Sequence, residues 1–316
     1  MFWVCSGFAQ ISIKEQQTQE PVSYATISFG NGQGIFADED GVFVFTKKLY
    51  PDVDSLHVHA LGFKDVTIPT SNLPETIFLE TYTDELDEVV LHAVVDRKFN
   101  EETLKPYLDD DYYKCWLPTI ESEIAVFFPN NSDDLKKIGN VLFPITLESK
   151  DWEQRKKKNS EKKAFSTLFK VKFYKNDNGF PGKELTKDII VFRVTEKMGD
   201  MFNLDVSDND LFVPVNGFFV SLQVLGYTDA KGKLLPNKKY KEIKTANGTV
   251  KIPTNFRPLL PFTDKIAEHQ TFIKRVFIND NDWVSFKIGN IEDSSLLRAG
   301  LNNYGIGATY HVYEKD

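Results

Sequence analysis

The feature that most constrains this chain is the two-residue rhythm of its apolar side chains between Glu20 and Leu79, cut at short intervals by glycine, asparagine and aspartate. Successive side chains of an extended strand point to opposite faces, so alternation describes strands with one buried face. Breaks at turn-forming residues describe antiparallel returns. Ala25, Ile27 and Phe29 fall on one face of one such strand, and Leu56, Val58 and Ala60 on one face of another. Both sets are expected to point into a small β-sandwich. The run from Ala37 to Gly41, between Ile35-Phe36 and Val42-Phe43, supplies the aspartates and glycine that a hairpin turn needs. Gly30, Gly32 and Gly34 are spaced like a phosphate loop, but a strand follows them, whereas phosphate cradling needs a helix N-terminus. They are read as turn residues.

The same rhythm returns in the second half of the chain. Strand-like runs fall at Glu123 to Phe128, Ile138 to Leu147, Phe165 to Tyr174, Asp188 to Thr195, Phe218 to Leu225, Trp283 to Ile288 and Tyr304 to Tyr313. Phe165, Phe169, Val171 and Phe173 share a face that is expected to be buried, and Lys170 and Lys172 share the face expected to be wet. The 26 Phe and 12 Tyr add to the bias toward strands. The expected fold class is all-β, and 316 residues leave room for two domains. Residues 1–9 read as a leader remnant and 10–82 as the small sandwich. Residues 83–115 read as an acidic linker with a short helix near Asn100 to Leu108, and 116–316 as a larger β-sandwich.

A net charge of −8 argues against a general nucleic-acid binder, because neutralising phosphates takes a concentrated basic surface. No apolar run approaches the roughly 18 residues that a membrane-spanning helix needs. The opening MFWVCSGFAQ has an apolar body and then Gly7-Phe8-Ala9, a small-x-small pattern suited to signal peptidase, without a basic start. It reads as the end of a signal peptide, with cleavage leaving Gln10 first; the alternative is an apolar first strand. The residues ahead of Cys5 do not suit lipid attachment. With Cys5 removed, Cys115 has no disulfide partner in the chain and is expected to be a buried small hydrophobe.

Glu20-Pro21-Val22 with Tyr24-Ala25, the turn Ala37-Asp38-Glu39-Asp40-Gly41-Val42-Phe43, and Asp54-Ser55-Leu56 leading to Leu61-Gly62-Phe63-Lys64 resemble, in this order, the carboxypeptidase-like regulatory domain. That transthyretin-like module is common in envelope proteins of Bacteroidota-type bacteria. The resemblance covers about the first quarter of the chain and implies a noncatalytic scaffold in an exported protein. Leu86-Asp87-Glu88-Val89-Val90 is similar to the segment that follows this module in TonB-dependent outer-membrane receptors. The remaining residues are far too few for a 22-stranded barrel at roughly 10 residues per strand, so transport is not carried over. The stretch from Phe169 to Leu185, with the runs at Asp188 and Val213, is similar to jelly-roll modules of secreted bacterial proteins, carbohydrate-binding ones among them.

Catalytic constellations are not evident. His92 is not followed by a glutamate at zinc-peptidase spacing, and neither HExxH nor GxSxG occurs. His57 and His59 share one face of a strand, as metal ligands or as outward polar residues. Asp205, Asp208 and Asp210 offer hard oxygens for a structural calcium, or ordinary turn chemistry. Asp109, Asp110 and Asp111 read as a solvated linker patch. Arg155, Lys156, Lys157 and Lys158, with Lys162 and Lys163 nearby, form a candidate polyanion-binding block, or a solvated loop. For sugars the better clue is an outward aromatic ring beside polar groups. Alternation puts Val284, Phe286 and Ile288 inside and leaves Trp283, Ser285 and Lys287 outside, and Trp152 precedes the basic block. These four are the candidate ligand-binding residues.

Three classes of function fit this reading. The first is a noncatalytic, exported accessory protein of the periplasm or outer membrane that binds a glycan or an envelope protein, with no resident cofactor. The second is an adhesin or assembly component that docks protein to protein, by strand addition at a sheet edge. The third is a glycoside hydrolase working with a pair of carboxylates, which no spacing in the chain singles out.

Overall fold

The structure, a computed structural model, describes residues 10–30, 32–82, 98–108, 111–151, 153–155, 157, 159–186, 188–237, 241–245, 248–252, 254–266, 268–278, 282–291 and 294–314. The chain is all-β, as its alternation predicts, and its strands gather into packed sheets in two compact units. One unit is built on Met1–Val89, Thr228–Thr254 and Arg275–Asn281; the other is built on Val90–Tyr227, Asn255–Lys274 and Asp282–Asp316.

The first unit begins with β1 (Gln10–Glu15), β2 (Thr26–Gly30), β3 (Gln33–Phe36), β4 (Val42–Val44), β5 (Ser55–His59), β6 (Val66–Pro69) and β7 (Thr76–Leu79). One sheet has the order β3-β2-β5-β6, all antiparallel; the other has the order β4-β1-β7, with β1 antiparallel to β4 and parallel to β7. Ala25, Ile27, Phe29, Leu56, Val58 and Ala60 all lie in one core cluster with Ile13, Phe43 and Leu79, as their alternation requires.

The turn after β3 departs from the expected hairpin. β3 and β4 belong to different sheets, so Ala37 to Gly41 arches from one layer to the other. Asp38 makes the arch: its carboxylate accepts from the backbone N–H groups of Asp40 (3.1 Å) and Val42 (2.8 Å), supplying locally what a ladder partner would have supplied. Two later stretches of chain complete this unit. Ser28 donates to the Phe277 carbonyl at 2.6 Å and Tyr50 to the Asn237 carbonyl at 2.6 Å, and Lys233 sits 3.3 Å from the Asp38 carboxylate. The Phe277 ring lies where a Cβ on Gly34 would be, so this glycine serves close packing and not a phosphate.

The second unit begins with β8 (Phe99–Leu104), β9 (Cys115–Trp116), β10 (Ser122–Phe128), β11 (Lys136–Pro144), β12 (Ser166–Asp177), β13 (Phe180–Glu184), β14 (Ile190–Thr195), β15 (Met201–Asp205) and β16 (Phe218–Tyr227). The chain then forms a hairpin, β17 (Lys241–Thr245) with β18 (Gly248–Ile252), within the first unit. It finishes with β19 (Leu260–Thr263), β20 (Thr271–Arg275), β21 (Val284–Ser285), a helical turn at Ser295–Arg298, β22 (Asn303–Tyr304) and β23 (Gly307–Tyr313). The largest sheet has the order β13-β12-β16-β10-β20-β21, with β14 also paired to β12; the others are β15-β11-β23-β8 and β22-β19-β9.

Two expectations are corrected here. Residues 99–104 form an edge strand on β23, not part of a helix. The stretch Asn100 to Leu108 includes Pro106, and an isolated helix of that length is marginal, whereas β23 offers a full ladder. The Lys170 face of β12 is not wet. Phe169, Val171 and Phe173 are buried as expected, but Lys170 is only 9% exposed, because β12 and its neighbour β16 are covered on both sides.

Candidate ligand-binding face of the seven-stranded sheet

Three central strands set side chains in rungs on the face opposite Phe169, Val171 and Phe173. The register aligns Lys170 with Gln223 and Glu123, Lys172 with Ser221 and Ala125, and Tyr174 with Phe219 and Phe127. The face therefore grades from a charged rung, through a rung of two small side chains, to an aromatic one. Phe272 and Trp283 extend the aromatic end into a cluster separate from the cores.

Ring contacts give this face its shape. Phe180 on β13 meets Phe272 on β20 edge to face at 5.4 Å, and Tyr174 on β12 meets Trp283, next to β21, at 5.6 Å. In both cases the backbones are four strand positions apart, roughly 19 Å in a flat sheet. Two aromatic side chains cannot bridge that distance, so the sheet curls until its edges approach, concave on this side. The polar rungs lie on that concave face, past an aromatic clasp.

Hydrogen bonds tie the polar groups together. Glu123 Oε1 accepts from Tyr174 Oη (2.8 Å) and Ser221 Oγ (2.5 Å), and Lys172 Nζ donates to Glu184 Oε1 (2.7 Å). Burial, with repulsion from Lys172, pushes the Lys170 ammonium down to about 7. Burial acts on Lys172 in the same sense, but the carboxylates of Glu123 and Glu184 outweigh it and hold this ammonium above its ordinary value. Burial, reinforced by the same two carboxylates, raises the Tyr174 hydroxyl far up. Gln223 Nε2, on a residue of the charged rung 2% exposed, and Glu121 Oε2, in the turn that leads into β10, are buried without a hydrogen-bond partner.

Of the ligand-binding candidates read from sequence, Trp283 borders this face. It is half-buried, with its ring against Tyr174 and Lys274 Nζ 6.0 Å from the ring centre. Ser285 lies opposite Phe272 on β21 and is half-buried. Lys287 is exposed, but its N–H bonds the Ser285 carbonyl (2.9 Å) and bends the chain. Alternation stops there: Phe286 is buried as expected, while Ile288, expected inside, is 75% exposed. Trp152, Lys156 and Lys158 lie outside the described residues. Arg155 is half-buried and Lys157 exposed, and nearby Lys163 joins Arg257 on Glu148.

Asp205 accepts from the Ser207 N–H, which with the Ser207 hydroxyl holds its carboxyl low; Asp210 pairs with Lys137 at 2.6 Å, and Asp208 faces solvent. Among the described residues no group of three or more metal-ligating side chains converges. His57 and His59 engage Thr67 and Asp65 on and beside β6. Cys115 is buried, with its thiol toward the Asp111 carbonyl. Asp109 and Asp110 lie outside the described residues.

Glu123, Lys170, Lys172, Tyr174, Glu184, Ser221 and Gln223 are the residues that sequence reasoning missed as a site. The available signal is in Phe218 to Tyr227, which is apolar at both parities apart from Ser221, Gln223 and the final Tyr227. A strand apolar on both faces is covered on both faces, so its polar residues are buried ones.

No family model matches the chain, and no curated protein does. Among solved structures it is similar to the cysteine protease and lectin-like domains of Cwp84, a surface-layer associated protein of Clostridium difficile. The identity is 12% and the TM-score 0.35, over 92% of this chain and 50% of that one. A second similar structure is the clostridial cysteine protease Cwp84 after propeptide cleavage, at 10% identity and a TM-score of 0.34, over 96% and 70%. The chain thus spans about half the length of the first of these. At that identity and TM-score neither likeness bears on what this chain does. Among the described residues no helix is long and apolar enough to cross a membrane.

Proposed function

We propose that this chain is a noncatalytic, exported accessory protein of the cell envelope that binds a glycan at the partly exposed aromatic end of its seven-stranded sheet. The first unit, with its resemblance to the carboxypeptidase-like regulatory domain, serves as the scaffold. The observation that carries the reading is that aromatic end, where the exposed Phe180 and the half-buried Phe127 and Trp283 stand with the polar side chains of Lys274 and Ser285. Sugar recognition needs this pairing: rings to stack the C–H face of a pyranose, and fixed polar groups to bond its hydroxyls. The absence of turnover is part of the proposal, since Glu123 and Glu184 are both engaged by neighbouring donors. Export to the periplasm or outer membrane rests on the small-x-small pattern at Gly7 to Ala9 and on the resemblance of the first module.

The test is a glycan array probed with residues 10–316, beside a pull-down from envelope extract at the same salt concentration and an assay for polysaccharide cleavage. A saturable sugar signal without turnover, weakened by Trp283→Ala in a protein with an unchanged melting curve, is the expected result. Cleavage that vanishes on changing one carboxylate would replace the reading with a hydrolase.

Docking to a protein is a second reading, favoured by β8. This strand is at the edge of its sheet, and all six of its residues are exposed. Its mark would be a specific envelope protein in the pull-down with a silent array.

A further inference from the structure

We infer that the first unit carries a site of its own, a cavity beside the arch at Ala37 to Gly41 that takes a small apolar amine, an ammonium on a body of one aromatic ring. This goes beyond the glycan reading, which concerns the other unit of the chain. The cavity follows from the arch. β3 and β4 are edge strands of different sheets, so no strand of either sheet closes the sandwich where the chain crosses between its layers. The returning stretch Lys233 to Asn237 covers that side in part. A cavity of about 230 Å³ is left, lined by the two edge strands, Gln10, Asp38, Tyr50 and that stretch, all of them in the first unit.

Ile35, Phe36, Phe43 and Tyr50 are buried, while Lys233, Leu235 and Pro236 are exposed, so an apolar floor opens to solvent. The Tyr50 hydroxyl already donates to the Asn237 carbonyl at 2.6 Å, which satisfies the polar atom of that floor. An apolar cavity of about 150 Å³ takes benzene. Pockets for drug-sized guests begin at about 300 Å³. This cavity lies between the two and suits one ring with a short tail.

Charge selects the other end of the guest. Asp38 Oδ1 is held by the N–H groups of Asp40 and Val42, and Oδ2 meets Lys233 Nζ at 3.3 Å. Lys233 Nζ is also 3.8 Å from Asp40, and Glu39 stands between the two aspartates in the chain. Three carboxylates thus gather about one lysine. The hydrogen bond and charge of Asp38, then the charges of Asp40 and Glu39, hold the Lys233 ammonium above its ordinary value. Burial, then Glu39, Asp38 and Asp40, push the Tyr24 hydroxyl up as well. The Asp38 side chain is 7% exposed against 50% for Lys233, so the carboxylate is fixed in the wall while the lysine, on its flexible stem, can give way. A ligand ammonium enters there toward a surplus of negative charge, and a ligand carboxylate is repelled by it.

The experiment is a calorimetric titration of the purified protein with phenethylamine, with hydrocinnamate and phenethyl alcohol as the anionic and neutral ring compounds, and with butylamine as the amine without a ring. Phenethylamine is expected to bind at least about ten times more tightly than any of the other three. Phe-Gly-Gly amide and its N-acetyl form distinguish the sources of the amine: tighter binding of the free peptide than of phenethylamine assigns the ammonium to a peptide N-terminus, and the reverse assigns it to a free amine. Leu235→Trp, which adds bulk at the exposed rim, should weaken phenethylamine about tenfold or more, and Lys233→Met, which removes the competing ammonium, should strengthen it. Hydrocinnamate binding as tightly as phenethylamine, or no binding of any amine, would overturn the inference. So would unchanged affinity in a folded Leu235→Trp protein, or weaker affinity in a folded Lys233→Met protein. If neither variant folds, the ligand series on the unaltered protein decides. None of these outcomes bears on the glycan reading, which is tested with other ligands on the other unit.

Discussion

A buried lysine and a missing methyl group carry much of the residue-scale argument. Lys170 has its ammonium pushed down to about 7 by burial and by Lys172, against roughly 10.4 in an unfolded chain. Between those values the unfolded chain binds a proton that the folded one has released, so stability rises with pH across that window. Below about 7 the cost of burying the charge is borne in full. The expected slope is about 1.4 kcal/mol per pH unit between about 7 and 10, and Lys170→Met removes it. Urea unfolding at a series of pH values checks this, and an unchanged slope in the variant would show that Lys170 titrates normally. At Gly34 a Cβ would overlap the Ile27 carbonyl and the Phe277 ring. Gly34→Ala should therefore cost about 1–3 kcal/mol, with retention of the wild-type urea midpoint as the contrary result. Neither residue announces its role in the sequence. Lys170 alternates with apolar neighbours as a surface lysine would, and Gly34 is one of three glycines in a short turn.

Among the elements, strands were the legible level and their partners were not. Alternation located β2, β5, β10, β12, β16 and β23 to within a few residues, because each buries at least one continuous face. It failed at β8, whose six residues are all exposed and leave no apolar stripe to read. It also misassigned the turn at Ala37 to Gly41, since aspartates and a glycine suit a hairpin and an arch between layers equally. The side chain of Asp38 settles that turn by bonding two backbone N–H groups and meeting Lys233. Asp38→Ala should lower stability by about 1–3 kcal/mol, through the unpaired N–H groups it leaves. It should also make the stretch around Lys233 a site of early cleavage in limited proteolysis. Digestion identical to wild type would mean that the ion pair does not hold that stretch.

For the whole molecule, a chain that leaves a module and later returns to it has consequences that no local pattern contains. The first unit receives Phe277, the Asn237 carbonyl and Lys233 from stretches 187 to 249 residues further along the chain than the residues they meet, which is why a reading by neighbouring segments ends that module at residue 82. A fragment of residues 10–82 loses the cover over Gly34 and Phe36 and the acceptors of Ser28 and Tyr50. It should melt well below the intact chain and bind a hydrophobic dye; a fragment as stable as the whole would show the returning stretches to be ornament. The concave face was illegible for a related reason: Glu123, Lys170 and Gln223 come from three strands, and only pairing puts them on one rung. The most direct test is a chemical-shift map of residues 10–316, labelled at tryptophan indoles, during addition of oligosaccharides. The Trp283 indole is expected to shift and to saturate as the ligand is added. A fixed Trp283 signal while other sites respond, or no response anywhere, would contradict the glycan reading.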